Sequence, residues 1–183
     1  MTGSPRSRFR LPHWGRFLLA TLVLAIATAG LSIWLPYHRE QQVIRKIESW
    51  SGQVSAETGG PGWLRQLVGE DRMSELKVFD RIDFVSLSGT AVTDANMSQL
   101  KGLTNLKRLS LQDTALTDAG LIYLSGLTNL EDLSISYTAV TDSGLVHLRG
   151  CTNLKLLRIG ATLVTEKGNA ELKKAIPYCK IRY

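Results

Sequence analysis

Residues 103–126 read LTNLKRLSLQDTALTDAGLIYLSG, and residues 127–150 follow at once with LTNLEDLSISYTAVTDSGLVHLRG. Two copies in register at a fixed period of 24 residues mark a solenoid, in which each unit packs mainly on its neighbours. Working outward, 79–102 (FDRIDFVSLSGTAVTDANMSQLKG) is a degraded first copy and 151–174 (CTNLKLLRIGATLVTEKGNAELKK) a fourth. Apolar columns run through all four units: Ile82, Leu106, Leu130 and Leu154, then Val85, Leu109, Leu133 and Leu157, then Leu87, Leu111, Ile135 and Ile159. The last two columns alternate with polar residues at period two, which predicts a short strand with these side chains turned inward. Val92, Leu116, Val140 and Val164 then precede a helical turn whose apolar positions are Met97, Leu121 and Leu145, followed by Leu100, Leu124, Leu148 and Leu172. Each unit supplies one strand and one helix, an α/β unit that cannot cover its own apolar face. Stacking buries each large side chain between neighbours, at roughly 1.5 to 3 kcal/mol as an upper bound.

The polar positions recur as regularly. Thr93, Thr117, Thr141 and Thr165 each precede an acid, namely Asp94, Asp118, Asp142 and Glu166. The expectation is a threonine N-cap with an acid in the first turn facing the positive end of the helix. Gly102, Gly126 and Gly150 are expected to close each helix in the left-handed conformation. A second ladder, Thr90, Thr114, Thr138 and Thr162, falls where an inward hydroxyl would bond the backbone of the bend. A metal on the acid row is not expected, because rows with one member per repeat diverge instead of converging on one ion.

The pattern LxxLxxLxLxxTxxTDxGLxxLxG, covering 79–183, resembles the leucine-rich repeat. The variety with a TDxGL helix start occurs in many bacterial proteins and in the substrate-receptor arm of some F-box proteins. The region before it, with PGWLRQLVGED at 61–71 and an apolar segment further upstream, is similar to membrane-anchored bacterial members, which often end in a segment like AIPYCKI. This resemblance implies a right-handed curved solenoid with parallel strands on the concave face, helices on the convex face, and a customary role in protein recognition. Three positions depart from the pattern: Asn96 stands where glycine is expected, Asn169 at a leucine position, and Glu166 in place of aspartate.

Upstream, residues 17–35 (FLLATLVLAIATAGLSIWL) carry no charge. As a helix they span about 28 Å at 1.5 Å per residue, close to the hydrocarbon thickness of a bilayer. One transmembrane helix is therefore expected. Arg6, Arg8, Arg10 and Arg16 precede it, so 1–16 is read as a basic cytoplasmic terminus and the repeats as extracytoplasmic. The alternative is secretion after signal cleavage near Ala29, since Ala27-Thr28-Ala29 fits the small-residue cleavage pattern. Residues 36–78 are read as a juxtamembrane helix and N-terminal cap. Val43, Ile44, Ile47 and Trp50 lie on one side of that helix, 51–62 is a turn or linker, and Trp63, Leu64, Leu67 and Val68 cover the first repeat. A closing strand is expected at 178–183.

The formal net charge of +6 owes most to the arginines before the apolar segment, so nucleic-acid binding has little support. His13, His38 and His147 are scattered, the two cysteines lack zinc spacing, and no glycine-rich phosphate loop occurs. Cys151 and Cys179 fall in different columns and are not expected to bridge. No cofactor, metal or enzymatic activity is expected.

What remains is the sheet surface. Its first column holds Phe84, Arg108, Asp132, Leu156 and Lys180, its second Ser86, Ser110, Ser134, Arg158 and Arg182, and its third Ser88, Gln112, Ser136 and Gly160, flanked by Asp113 and Tyr137. Arg108, Asp132, Tyr137, Arg158 and Arg182 are the expected partner contacts, because arginine and tyrosine are enriched where interfaces carry binding energy. The sequence thus points to a non-catalytic binding module on the cell membrane, recognising a protein or an envelope polymer. Two other readings are an adaptor of the F-box receptor kind and a self-assembling structural protein of the envelope.

Overall fold

The computed structural model describes residues 13–60, 62–73, 75–76 and 79–183, with part of the side chains of 13–33 and 62–73 outside that description. A long helix, α1 (His13–Ser49), has Pro36 inside it, and the chain divides into two compact units after that residue. The expected membrane segment 17–35 belongs to the first unit. Many of its side chains, Phe17, Leu18, Leu19, Leu22, Val23 and Ile33 among them, lie outside the described residues. Among those described, no helix is long and apolar enough to cross a membrane.

The second unit, Tyr37–Tyr183, is built on one sheet of six strands in sequence order. These are β1 (Gln53–Thr58), β2 (Asp80–Ser86), β3 (Arg108–Ser110), β4 (Asp132–Ser134), β5 (Leu156–Arg158) and β6 (Lys180–Arg182). From β2 onward the pairing is parallel and shifts by one repeat at each step, so Val85, Leu109, Leu133, Leu157 and Ile181 lie side by side. Each strand leads to a short helix: α4 (Asp94–Met97), α5 (Asp118–Leu121) and α6 (Asp142–Leu145), each continued by a 3₁₀ turn, and α7 (Glu166–Ala175). Between sheet and helices runs one apolar spine, with Ile82, Leu106, Leu130 and Leu154 and their column mates at most 2% exposed. This is the α/β solenoid that the periodicity predicts.

The N-terminal end of the spine is closed by the last turns of α1. Val43 and Ile47 on the last turns of α1 are buried in the core, and Ile44, Trp50 and Val54 pack against it. Polar ties hold the same helix to the first repeat. Arg39 Nη2 donates to the Lys101 carbonyl at 2.8 Å, Glu40 Oε2 accepts from the Ile82 N–H at 3.1 Å, and Lys46 Nζ donates to Gln99 Oε1 at 2.5 Å. Residues 53–58 of the expected linker are strand β1, antiparallel to β2 with Gln53 opposite Ser86 and a register shift between Ser55 and Ala56. The strand was hidden because QVSAET, an edge strand, presents mostly exposed side chains and no apolar alternation. Two short helices follow, α2 (Gly62–Val68) and α3 (Glu70–Met73). Leu67 on α2 is 75% exposed, so it does not serve the capping role expected of it.

The threonine-acid pair does more than cap. Thr117, Thr141 and Thr165 accept from backbone N–H groups of Ala119, Ser143 and Gly168 as N-caps should. The aspartate of each unit, however, reaches into the next. Asp94 accepts from the Thr117 N–H at 2.9 Å and hydroxyl at 2.6 Å, Asp118 from those of Thr141 at 2.8 and 2.6 Å, and Asp142 from those of Thr165 at 2.8 and 2.7 Å. The glycine of the TDxG motif makes room for it, since a Cβ on Gly120, Gly144 or Gly168 would fall 2.5, 2.3 or 2.0 Å from the Oδ1 of Asp94, Asp118 or Asp142.

The departures at the ends differ in their contacts. The first unit has no repeat before it to send an aspartate, so Asn96 is tolerated, and its Oδ1 accepts from the Thr93 N–H at 2.9 Å. In the fourth unit Glu166 stands at the clasping position, and it makes no such bond among the described residues. Asn169 stands where other units have a buried leucine; its Nδ2 donates to the Tyr183 hydroxyl at 2.7 Å, tying α7 to the residue that follows β6, while its Oδ1 is buried without a partner among the described residues.

The inner threonine ladder behaves as expected, with Thr90, Thr114, Thr138 and Thr162 donating to the carbonyls of Leu87, Leu111, Ile135 and Ile159 at 2.6 to 2.8 Å. The glycine closure does not. Gly102 has φ +91, but Gly126 and Gly150 stay outside the left-handed region, because the turn runs on to Gly150 in its unit and continues past Leu124 at Ser125 in the other. The left-handed position sits instead just past each strand, at Gly89, Asp113, Tyr137 and Ala161.

Candidate binding surface

The outward face of the sheet is a polar field in strict register. Phe84, Arg108, Asp132, Leu156 and Lys180 form one row, and Ser86, Ser110, Ser134, Arg158 and Arg182 the next. Hydroxyls dominate its first half, where Ser88 and Ser110 share a bond of 2.6 Å. Ser136 Oγ accepts from the Gly160 N–H at 3.1 Å, fixing the backbone beside β5.

Three of the five expected contacts are tied within the sheet. Arg108 pairs with Asp83 at 3.2 Å and lies over the Phe84 ring, 5.1 Å from its centroid. Arg158 grips Asp132 with both terminal nitrogens, at 2.8 and 3.2 Å, a forked pair that holds both side chains in one orientation. Arg182, on the edge strand, is exposed and has no carboxylate partner among the described residues.

Tyr137 stands apart. Its φ is +58, its N–H donates to the Gly160 carbonyl at 2.8 Å, and its side chain is 62% exposed. An L-residue in this region costs about 1 to 2 kcal/mol, least for Gly, Asn or Asp, the first and last of which the chain uses at Gly89 and Asp113. The ring therefore carries a conformational cost without the compensation of burial.

At the N-terminal ends of the strands lies a polar groove of about 490 Å³ that the sequence reading missed. Lys107 bridges to Glu57 on β1, and that hydrogen bond, with the nearby carboxylates of Asp83 and Glu131, holds its ammonium above the usual lysine range. Lys155 pairs with Glu131 at 2.7 Å and keeps that carboxyl low. Asn129 and Asn153 donate to the Thr104 and Thr128 carbonyls at 2.7 and 2.8 Å, so the groove is a set of ties between neighbouring units. Its signal was the recurring asparagine at 105, 129 and 153.

Cys151 and Cys179 are both free and buried, each pushed up to about 11 by burial. Among the described residues no group of three or more histidines, cysteines or acids could hold a metal ion.

Two stretches, 102–125 and 126–148, match the family described as Leucine Rich repeat. These two stretches are similar to leucine-rich repeats in sequence. Among solved structures, the chain is similar to the Mex67:Mtr2 subunits of Chaetomium, at 20% identity over 54% of this chain and 78% of that one, with a TM-score of 0.45. An internalin of Listeria monocytogenes, inlF, shares 25% identity over 61% of this chain and 32% of its own, with a TM-score of 0.42. Internalin C2 of the same organism shares 19% over 59% and 72%, with a TM-score of 0.35. No curated protein matches the chain.

Proposed function

We propose that this chain is a non-catalytic protein-binding module displayed on the outer side of a bacterial cell membrane, held there by the apolar first half of α1. Leucine-rich repeats as a class mediate protein–protein interaction, which supports the binding half of the reading. The observation that carries it is Tyr137, a large aromatic kept exposed in a conformation that a smaller residue would adopt at lower cost. Backbone strain at an exposed side chain points to a use for that side chain. Around it, Arg182 supplies a cation with no carboxylate partner among the described residues, and the Asp132–Arg158 pair supplies a rigid polar surface. An extended protein segment lying across the strands would meet all of them.

Anchoring is supported by the 19 uncharged residues at 17–35 and the four arginines before them. Resistance of the full chain to alkaline extraction, with protease digestion of its C-terminus in intact cells, is the expected pair of results. Release into the soluble fraction, or protection of the C-terminus, would remove the display reading. For binding, a photocrosslinking residue at 137 should give a discrete protein adduct that the same residue at 174, on α7, does not give. Absence of any adduct from 137, 158 and 182 would remove this face.

A further inference from the structure

On the helical side of the solenoid, a cavity of about 230 Å³ opens between α6, with its following 3₁₀ turn, and α7. Its lining includes Leu145, Val146 and Leu172, and two cations, Arg149 and Lys167, stand beside them. The gap has a structural origin. The third unit leaves α6 for a 3₁₀ turn over Val146–Gly150, whereas the fourth runs as α-helix for ten residues, so facing turns of 3.0 and 3.6 residues fall out of step.

Three observations give this gap a chemistry. Val146 is 47% exposed, an apolar wall open to a ligand. The two cations are peculiar to this junction, for the matching positions are Ser125 with Ser143 one repeat earlier and Lys101 with Ala119 before that. The repeat pattern therefore does not require them. Of the two acids at the cavity, Asp142 is clasped by Thr165 and Glu171 is bonded by Lys174 at 2.6 Å; Arg149 and Lys167 act on Glu171, and Lys167 on Asp142, only through space, and neither cation makes a direct ion pair among the described residues.

We propose that this cavity binds a short aliphatic chain ending in a carboxylate, the chain against Val146 and the two leucines and the carboxylate on Arg149 and Lys167. The volume is below the roughly 300 to 1,000 Å³ of sites for drug-sized ligands, which suits a group the size of one aliphatic side chain. Two sources share this chemistry: a free short-chain fatty acid, and the C-terminal aliphatic residue of a peptide. The site is separate from the sheet face and stands whether or not that face binds a protein.

The test uses the full chain in lipid nanodiscs with ¹³C-labelled leucine and valine methyl groups, titrated with hexanoate, N-acetyl-leucinate and hexylammonium. Saturable shifts at the methyls of Leu145, Val146 and Leu172 are expected with at least one carboxylate, the tighter of the two assigning the source. Hexylammonium should bind at least about five-fold more weakly, as should the better carboxylate to the Arg149→Gln/Lys167→Gln variant with an unchanged unfolding midpoint. Absence of saturable shifts at these methyls, or equal binding by hexylammonium or by the variant, would overturn the proposal.

Discussion

Replacing Gly144 by alanine isolates the contact that joins one repeat to the next. The new Cβ would lie 2.3 Å from Asp118 Oδ1, 3.0 Å from Leu121 Cδ1 and 3.1 Å from the Asp118 Cα, so the carboxylate must leave its place. Leaving forfeits two bonds from Thr141, at 2.8 and 2.6 Å, in a partly buried setting. Hydrogen bonds to a charged group are worth about 1.5 to 3 kcal/mol each when dry, and the lower end applies where water can replace them, giving about 2 to 3 kcal/mol for the pair. Alanine returns about 0.8 to 1 kcal/mol through its better helix propensity. Gly144→Ala should therefore destabilise the chain by about 1.5 to 2 kcal/mol net. In an Asp118→Ala background the carboxylate is gone and only the tight contacts with Leu121 Cδ1 and the Cα of residue 118 remain, so the same substitution should cost about 2 to 3 kcal/mol less, which is the coupling. Gly126→Ala is the control, since nothing lies within 4 Å of its added Cβ and its φ is not left-handed. Urea unfolding of the four variants, followed by circular dichroism and tryptophan fluorescence, reads the cycle. Additive effects at 118 and 144, or a Gly144→Ala variant as stable as Gly126→Ala, would refute the clasp.

Tyr137→Asn should stabilise the chain by about 0.5 to 1 kcal/mol, because asparagine tolerates the left-handed region better, while abolishing the photocrosslinked partner; an undiminished partner in a coprecipitation assay would contradict the role given to the ring. The carboxyl of Glu40 lies above its ordinary range, burial outweighing the bond from Ile82 and the charge of Arg81. The folded chain then holds more protons than the unfolded one between the two values, so this group makes stability fall as pH rises through that window, and Glu40→Gln should flatten that part of a stability–pH curve. With thiols raised to about 11, Cys151 and Cys179 should resist iodoacetamide at pH 8 in the folded chain and react promptly in urea, as intact-mass spectrometry would register.

What could be read from the sequence was what the repeat makes periodic. The leucine columns and the inner threonine ladder follow from the 24-residue spacing, while the parallel strands were implied by the resemblance to the leucine-rich repeat. The TDxG motif was legible as a cap but not as a clasp, because a propensity argument looks within one helix and this contact spans 23 residues. The clue was present in the two exceptions, Asn96 in the first unit and Glu166 in the last. The left-handed turn was missed because three of its four positions, Asp113, Tyr137 and Ala161, are not glycine, whereas the visible glycines at 126 and 150 are not left-handed. Gly150 answers to the Ser125 carbonyl, which a Cβ there would approach to 3.0 Å. β1 was illegible because only Val54 of its side chains packs on the core, and the rest of its pairing is backbone hydrogen bonding along β2. On the sheet face the columns were legible, but the pairing of Arg108 with Asp83 and Arg158 with Asp132 joins residues 25 and 26 positions apart and needed the register to be known.

The clasp also gives the stack a direction. Each aspartate points to the following unit, so a stack has one end that offers a carboxylate and another that receives it. Both ends of this chain lack the required residue: Glu166 carries an extra methylene where an aspartate would reach forward, and Asn96 fills the space that Gly120, Gly144 and Gly168 leave open. At the sheet the first unit is already covered by β1 and the last strand carries Lys180 and Arg182, charges that discourage edge pairing. Propagation of the repeats from one copy to the next is thus opposed by side-chain chemistry at both ends, which argues against an end-to-end polymer.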